Sequence, residues 1–401
     1  METMLSSKRI PLSKRENFKV DDSVIEMDLP IYGAKISPTV SSKGSFQGAP
    51  IEIVKISCGS GVTDYVTHES NFKYSTYGIH IGQDDRLTFL GVSQKVEVSL
   101  IDCRKDSPTV GTETTITMRV SPDRMIVIPR GVAHTLDGLD GVVTRDEPVW
   151  YSGETEDWHV DNDLVSFPNT AEEHPLVTVC DKPLPQSASL LISRMSQKVN
   201  TFTHAAYSAR YRVSFKNGIK YMMVRPNWAS KDSGRPNNDS LIGENRYAMT
   251  GPESFTIVPN TDSCTSDFLR IDLNQKELTW TRHPRSHRIL TWLGGDSGNY
   301  GVEVFTAKGP QVFYAADPTI HVNIPPNTWY RLIGSGIAVL RSEQKRIAPD
   351  PNSKWVHDYE TADTVDKSST VPAEPVEESL YMPGMVANLL ARKESEILAS
   401  N

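Results

Sequence analysis

The stretch His80–Gly91, HIGQDDRLTFLG, returns later in the chain as His283–Gly294, HPRSHRILTWLG. At an offset of 203, His80 meets His283, Leu87 meets Leu290, Thr88 meets Thr291, Leu90 meets Leu293 and Gly91 meets Gly294, with Phe89 against Trp292. A second pair follows in the same order: Ile128–Leu136, IPRGVAHTL, and Ile324–Leu332, IPPNTWYRL, at an offset of 196. Two blocks in one order, with only seven residues lost between them (203 − 196), identify two copies of one unit. The split falls near Gln186–Gln197.

The copies read as strands. Period-2 alternation recurs over Val96–Ile101, Thr114–Val120, Met125–Ile128, Phe255–Val258, Tyr300–Phe305, Ile320–Ile324 and Ile337–Leu340, with Gly, Pro, Asn and Asp between the runs. Short strands with turn signals between them predict an all-β sandwich or barrel. The division expected is a basic tail over 1–20, a first barrel over 21–190, a second over 191–348, and an acidic linker with a C-terminal helix over 349–401. Residues 1–20 carry five basic and two acidic side chains; residues 351–401 carry nine acidic and four basic. Apolar spacing over Met385–Leu398 predicts a short amphipathic helix. Such a helix packs on its own domain or on a second subunit, which allows a homodimer.

Composition removes several classes. The net charge of −8 is a poor match to a nucleic-acid binder, which presents a basic face. No apolar run reaches the length of a membrane span, and Met1–Val20 lacks the apolar core of a secretory signal. Cys58, Cys103, Cys180 and Cys264 are scattered without a CxxC pair, which predicts a cytoplasmic chain free of structural disulfides. There is no P-loop, dinucleotide fingerprint or nucleophile elbow.

Four segments of the first copy carry a family resemblance: Thr67–Ser70 followed by Gly78-Ile79-His80; Asp102–Gly111, DCRKDSPTVG; Ile128–His134, IPRGVAH; and Tyr151-Ser152 followed by Asp161–Leu164 and Phe167-Pro168. In order and spacing they resemble the dTDP-4-dehydrorhamnose 3,5-epimerases, the nucleotide-sugar branch of the jelly-roll cupins. The repeat extends this to a two-barrel variant. The resemblance implies two cupin barrels in tandem. It also implies a cofactor-free epimerase or ketoisomerase acting on a 4-keto-6-deoxy nucleotide sugar.

By that resemblance His80 is the base that removes a proton next to the keto group, oriented by Asp181, with His134 close by and Arg86 near the enolate oxygen. A histidine suits the task because its ordinary pKa lies near neutrality. The chain departs from the family where Tyr77 replaces the diphosphate-binding Arg and Arg145 replaces the general-acid Tyr. Tyr151 matches the family's sugar-side Tyr. His68, Tyr65, Tyr77, Arg145 and Tyr151 are the candidate substrate contacts, with Trp150 and Trp158 as further aromatics. In the second copy His283 occupies the His80 position, crowded by Arg285, His287 and Arg288, a cluster that could bind a diphosphate or hold a second base, and Tyr330 stands where the first copy has His134. Without the surrounding segments His80 reads as a satisfied barrel histidine, and the bland reading of His283 is a solvated basic turn. A catalytically degenerate bicupin that binds a nucleotide sugar or glycan is the other class of reading. No metal is expected, because neither copy has the H-x-H of metal cupins; His283, His287 and His321 are the alternative nitrogen set.

Overall fold

A computed structural model of the chain describes residues 16–55, 64–68, 72–92, 94–152, 163–183, 209–215, 218–224, 242–244, 248–249, 255–259, 265–274, 278–284, 286–296, 300–314, 320–346 and 359–366. Among them every regular element is a strand. The seven expected runs all form strands, from Lys95–Asp102 to Ile337–Arg346, with ends moved by a few residues. The C-terminal helix expected over Met385–Leu398 lies outside the described residues. None of the described residues forms a helix long and apolar enough to cross a membrane.

Two jelly-roll sandwiches stand in tandem. In the first, the smaller sheet runs Glu113–Arg119, Lys95–Asp102, Val132–Asp137, Thr76–His80, Leu164–Pro168. In the second, the order is Gly309–Tyr314, Tyr300–Thr306, Tyr330–Gly334, Trp280–Arg282, Glu360–Ala362. Position by position these are the same strands of the repeat. The larger sheets agree likewise: Arg124–Ile128, Gln83–Leu90, Val143–Asp146 and Asp64–His68 in one copy, against Ile320–Ile324, Ser286–Gly295, Ile337–Arg346 and Thr265–Asp272 in the other.

The register confirms the repeat at single-residue level. His134 pairs with Gly78, two residues before His80; Tyr330 pairs with Thr281, two before His283. Ile128 pairs with Asp85 in the first copy, and Ile324 with Arg288 in the second. Even the turn after the Ile-Pro strand is kept. Gly131 has φ +79° and Asn327, at the same repeat position, φ +61°. Asparagine is among the few residues with a Cβ that enter the left-handed region readily.

The sheets do not respect the division expected at residue 190. The hairpin of Val40–Phe46 and Ala49–Lys55 joins the second copy, where Ile51–Val54 pair with Phe268–Ile271. Reciprocally, Phe255–Pro259 pairs with Asp64–His68 of the first. Each copy thus covers the same sheet edge of the other, satisfying N–H and C=O groups that would otherwise be left open. The expected tails also contribute strands. Glu16–Lys19 runs parallel to Glu113–Arg119, and Glu360–Ala362 pairs with Trp280–Arg282.

Each sandwich has its own apolar core. Leu87, Phe89, Val98, Leu100, Ile116, Ile126, Val132 and Leu136 fill the first; Leu290, Trp292, Val302, Val304, Val322, Tyr330 and Leu340 fill the second. The larger sheets meet back to back through Val54, Leu90, Val143, Leu293 and Val339. Cys103 and Cys180 are buried free thiols. Cys58 and Cys264 lie outside the described residues.

Candidate functional site

Strand alternation decides which side chains enter the first barrel. Leu87 and Phe89 are in its core, so Asp85 and Gln83, at even spacing along the same strand, face inward with them. Val132 and Leu136 bracket His134 and turn it inward. On Thr76–His80 the odd positions Tyr77 and Ile79 pack in a separate outer cluster, which leaves His80 to the interior. The His134–Gly78 register brings the two histidines side by side, with ring centroids 5.8 Å apart and planes 20° from parallel.

Carboxylates surround this pair. His80 Nδ1 donates to Asp163 Oδ2 at 2.8 Å, and the other oxygen of Asp163 accepts the Gly82 N–H at 2.5 Å. Held from both sides, the buried Asp163 fixes the ring so that Nε2 points into the barrel. There Asp85 Oδ2 lies 3.7 Å from His80 Nε2 and 3.4 Å from His134 Nε2. Gln83 Nε2 donates to Asp85 at 2.5 Å and to Asp146 at 3.2 Å, tying the two carboxylates together.

The environments drive the two imidazoles apart. Burial opposes the charged form of His80, but Asp85, the Asp163 hydrogen bond and charge, and Asp146 outweigh it and push its pKa up to about 9. His134 goes the other way: burial pulls its pKa down, and the attraction of Asp85 does not restore it against the neighbouring His80.

Of the residues expected in this site, only His80 and His134 are brought together. Asp181 is exposed, and Asp163 is the carboxylate on His80. Arg86 follows Asp85 on the strand and so takes the opposite face; its backbone N–H donates to Asp146. Tyr77 stacks on Phe167 at 5.3 Å outside the barrel. Tyr151 packs against that outer cluster, with the Arg130 guanidinium 3.5 Å from its ring centroid. Arg145 is buried in an ion pair with Glu147, on the face of Val143 that meets the second sandwich. His68 bonds the Tyr74 hydroxyl at 2.8 Å and stacks on Phe72. Tyr74 precedes the strand that His80 ends, so His68 sits at its far end. Burial holds the His68 pKa down to about 4. The Tyr65 backbone pairs with Arg145; its side chain, and Trp158, lie outside the described residues.

In the second barrel His283 and Tyr330 do meet. His283 Nε2 is 3.1 Å from the Tyr330 hydroxyl, and the rings stack at 5.9 Å, as His80 and His134 do. His287 takes the face opposite Ser286 and Arg288, away from this pair. Arg285 lies outside the described residues.

Four site residues, Gln83, Asp85, Asp146 and Asp163, were not expected. Asp85 was legible as the inward parity of a strand whose Leu87 and Phe89 are core. Asp163 lies inside the Asp161–Leu164 segment that carries the resemblance. The structure also bears on metal binding: one donor atom each from His80, Asp85 and His134 all lie within 4.8 Å of one another. Two imidazoles and one carboxylate, with Asp163 behind one imidazole, fit a first-row divalent ion although no H-x-H is present.

No protein-family model matches the chain, and no curated protein matches it. Among solved structures, the dTDP sugar isomerase of Desulfovibrio desulfuricans is similar at 17% identity, over 36% of this chain and 89% of that one, with a TM-score of 0.27. The dTDP-6-deoxy-D-glucose-3,5-epimerase of Legionella pneumophila, in complex with dTDP-4-keto-L-rhamnose, is 15% identical over 41% of this chain and 89% of its own, with a TM-score of 0.28. The oxalate decarboxylase of Lactobacillus farciminis, in a formate complex, covers 81% of this chain and 88% of its own at 10% identity and a TM-score of 0.24. Likenesses this distant carry no weight for chemistry.

Proposed function

We propose that the first barrel is the active site of a proton-transfer enzyme. It acts next to the carbonyl of a 4-keto-6-deoxy nucleotide sugar, as an epimerase or ketoisomerase. The observation that carries this reading is the pair of stacked histidines whose pKa values are driven apart. A neutral imidazole beside a protonated one is an acid–base pair ready at neutral pH.

The division of labour differs from the one expected from the sequence. His134, kept neutral, takes the proton from the carbon beside the carbonyl, and the C–H electron pair moves into the enolate. His80, kept charged by Asp85 and Asp163, presents Nε2–H to the oxygen where negative charge develops. Return of a proton from solvent to the opposite face of that carbon gives the epimer; protonation of the former carbonyl carbon, with loss of the hydroxyl proton from the carbon first deprotonated and protonation of the enolate oxygen, gives the ketoisomer. The test is deuterium uptake from D₂O into a dTDP-4-keto-6-deoxy sugar. A general base contributes about 10²–10⁴ in rate, so His134→Asn and His80→Asn should each slow exchange by that order. Unchanged exchange in both variants would overturn the assignment, and no exchange by the wild-type chain would favour a binding protein.

A second reading is favoured by the donor set of His80, Asp85 and His134. In it these three side chains hold a divalent ion, which supplies Lewis-acid polarisation of a substrate oxygen. Asp163 would then orient His80 as a ligand, and the ion would take the place of the proton that the carboxylates hold on His80. Activity that disappears on chelation and returns with added Mn²⁺, Fe²⁺ or Zn²⁺ would select this reading over the first.

A further inference from the structure

The acidic position of the first barrel has a counterpart of opposite charge in the second. Asp85 pairs across its sheet with Ile128, and Arg288 stands at the same place against Ile324. Leu290 and Trp292 are core residues of the second barrel, so alternation turns Arg288 inward, as it does Asp85. Arg288 Nε donates to His283 Nε2 at 3.3 Å, and Nη1 donates to Ser342 Oγ at 3.1 Å. Tyr330, in the place of His134, sets its hydroxyl on the same His283 nitrogen. The exposed Tyr359 and the exchanged hairpin's Phe46 bring their rings to 5.6 Å from His283 and 6.5 Å from Tyr330.

The charge balance is reversed with the residues. Where His80 meets carboxylates, His283 meets the Arg288 guanidinium and a phenol hydroxyl on the same nitrogen. Among the described residues no carboxylate pairs with Arg288. The Tyr330 hydroxyl lies within the electrostatic reach of this guanidinium. A part-buried guanidinium facing a barrel interior without a counter-charge is a binding group for carboxylate or phosphate oxygens. The first barrel has three carboxylates around two imidazoles and so attracts a cation or protons; the second attracts an anion.

We propose that the second barrel is a binding site for a small oxyanion, a carboxylate or a phosphate group, held by Arg288 and the Tyr330 hydroxyl. It is not a second copy of the proton-transfer site, and its existence does not depend on what the first barrel catalyses.

The test is calorimetric titration of the full chain with inorganic phosphate and, separately, with acetate, at constant ionic strength set by chloride. The expected result is one saturable site for at least one of the two probes; the tighter probe identifies the group recognised. Arg288→Gln should weaken that binding at least tenfold, and Tyr330→Phe by a smaller factor. Arg288→Lys should recover part of the affinity, since it keeps the charge and loses the planar fork. Asp85→Asn, in the other barrel, should bind as the wild-type chain does. Should Arg288→Gln fail to fold, Arg288→Lys and Tyr330→Phe, which keep most of the volume, carry the test. No binding of either probe, binding indifferent to every substitution at Arg288 and Tyr330, or binding abolished by Asp85→Asn would each overturn the proposal.

Discussion

Replacing Asp85 by Asn should flatten the pH dependence of stability, and the size of the effect follows from His80. In the folded chain His80 holds its proton up to about pH 9, against an ordinary value of 6.5. The folded state therefore binds a proton that the unfolded state releases earlier. This contribution is fully present below pH 6.5 and is lost as the pH rises through about 9. At 1.36 kcal/mol per unit, the shift is worth about 3 kcal/mol. Asp85 lies 3.7 Å from His80 Nε2, where a full charge pair at an effective dielectric near 20 amounts to roughly 4 kcal/mol. That exceeds the whole net shift, because burial works against it. Asp85→Asn should therefore bring the His80 pKa most of the way back, with Asp163 and Asp146 holding the remainder. The assay is urea unfolding at pH 6.5 and 9.5 of the wild-type chain, Asp85→Asn and His80→Asn. Relative to His80→Asn, the wild-type chain should lose about 3 kcal/mol across the interval, and Asp85→Asn about 1 or less. Parallel pH profiles for the wild-type chain and His80→Asn would refute the reasoning, since His80 would then hold no stabilising proton.

If the first barrel works by the histidine pair, exchange should rise as His134 loses its proton below neutral pH and fall as His80 loses its own near pH 9; a flat profile across that range would contradict the acid–base assignment. Phe89 is almost fully buried in the first core, so Phe89→Ala should cost about 3–5 kcal/mol by chemical denaturation. Gly131→Ala should destabilise by more than ~1 kcal/mol, because φ is +79° and a Cβ there would lie 2.5 Å from Arg104 Cγ and Val179 Cγ1, while Asn327→Gly should be close to neutral. His68 is held neutral by burial, so it favours the folded state above pH 6.5 and opposes it as the pH falls towards about 4. His68→Gln should reduce the loss of melting temperature over that interval.

Much of the fold was legible because the repeat is a physical constraint and not only a likeness of letters. A strand that alternates Leu87 and Phe89 with outward residues must pack one face, and the same pattern at Leu290 and Trp292 must do the same. Two such faces make two cores. The exchange of strands was not legible. Ala49–Lys55 and Phe255–Pro259 have ordinary strand patterns, and nothing local to either says which sheet edge it will complete. That choice depends on which edges stand open once both sandwiches have formed, a property of the assembled chain.

The site was legible in its histidines and not in its carboxylates, for a reason of parity. A resemblance aligns residue types along the chain, whereas a strand sends neighbouring residues to opposite faces. Arg86 is one residue from Asp85, and that single step moves it out of the barrel; Tyr77 is an odd number of residues from His80 and leaves the site the same way. Asp181 failed differently. The carboxylate that reaches His80 Nδ1 comes just before Leu164, which pairs directly with His80, so the partner is set by cross-strand register. The same parity that removed Arg86 admits Asp85, and at the repeated position it admits Arg288. One inward position therefore fixes the sign of the charge in each barrel, and two sandwiches of the same register are left with opposite ligands to attract.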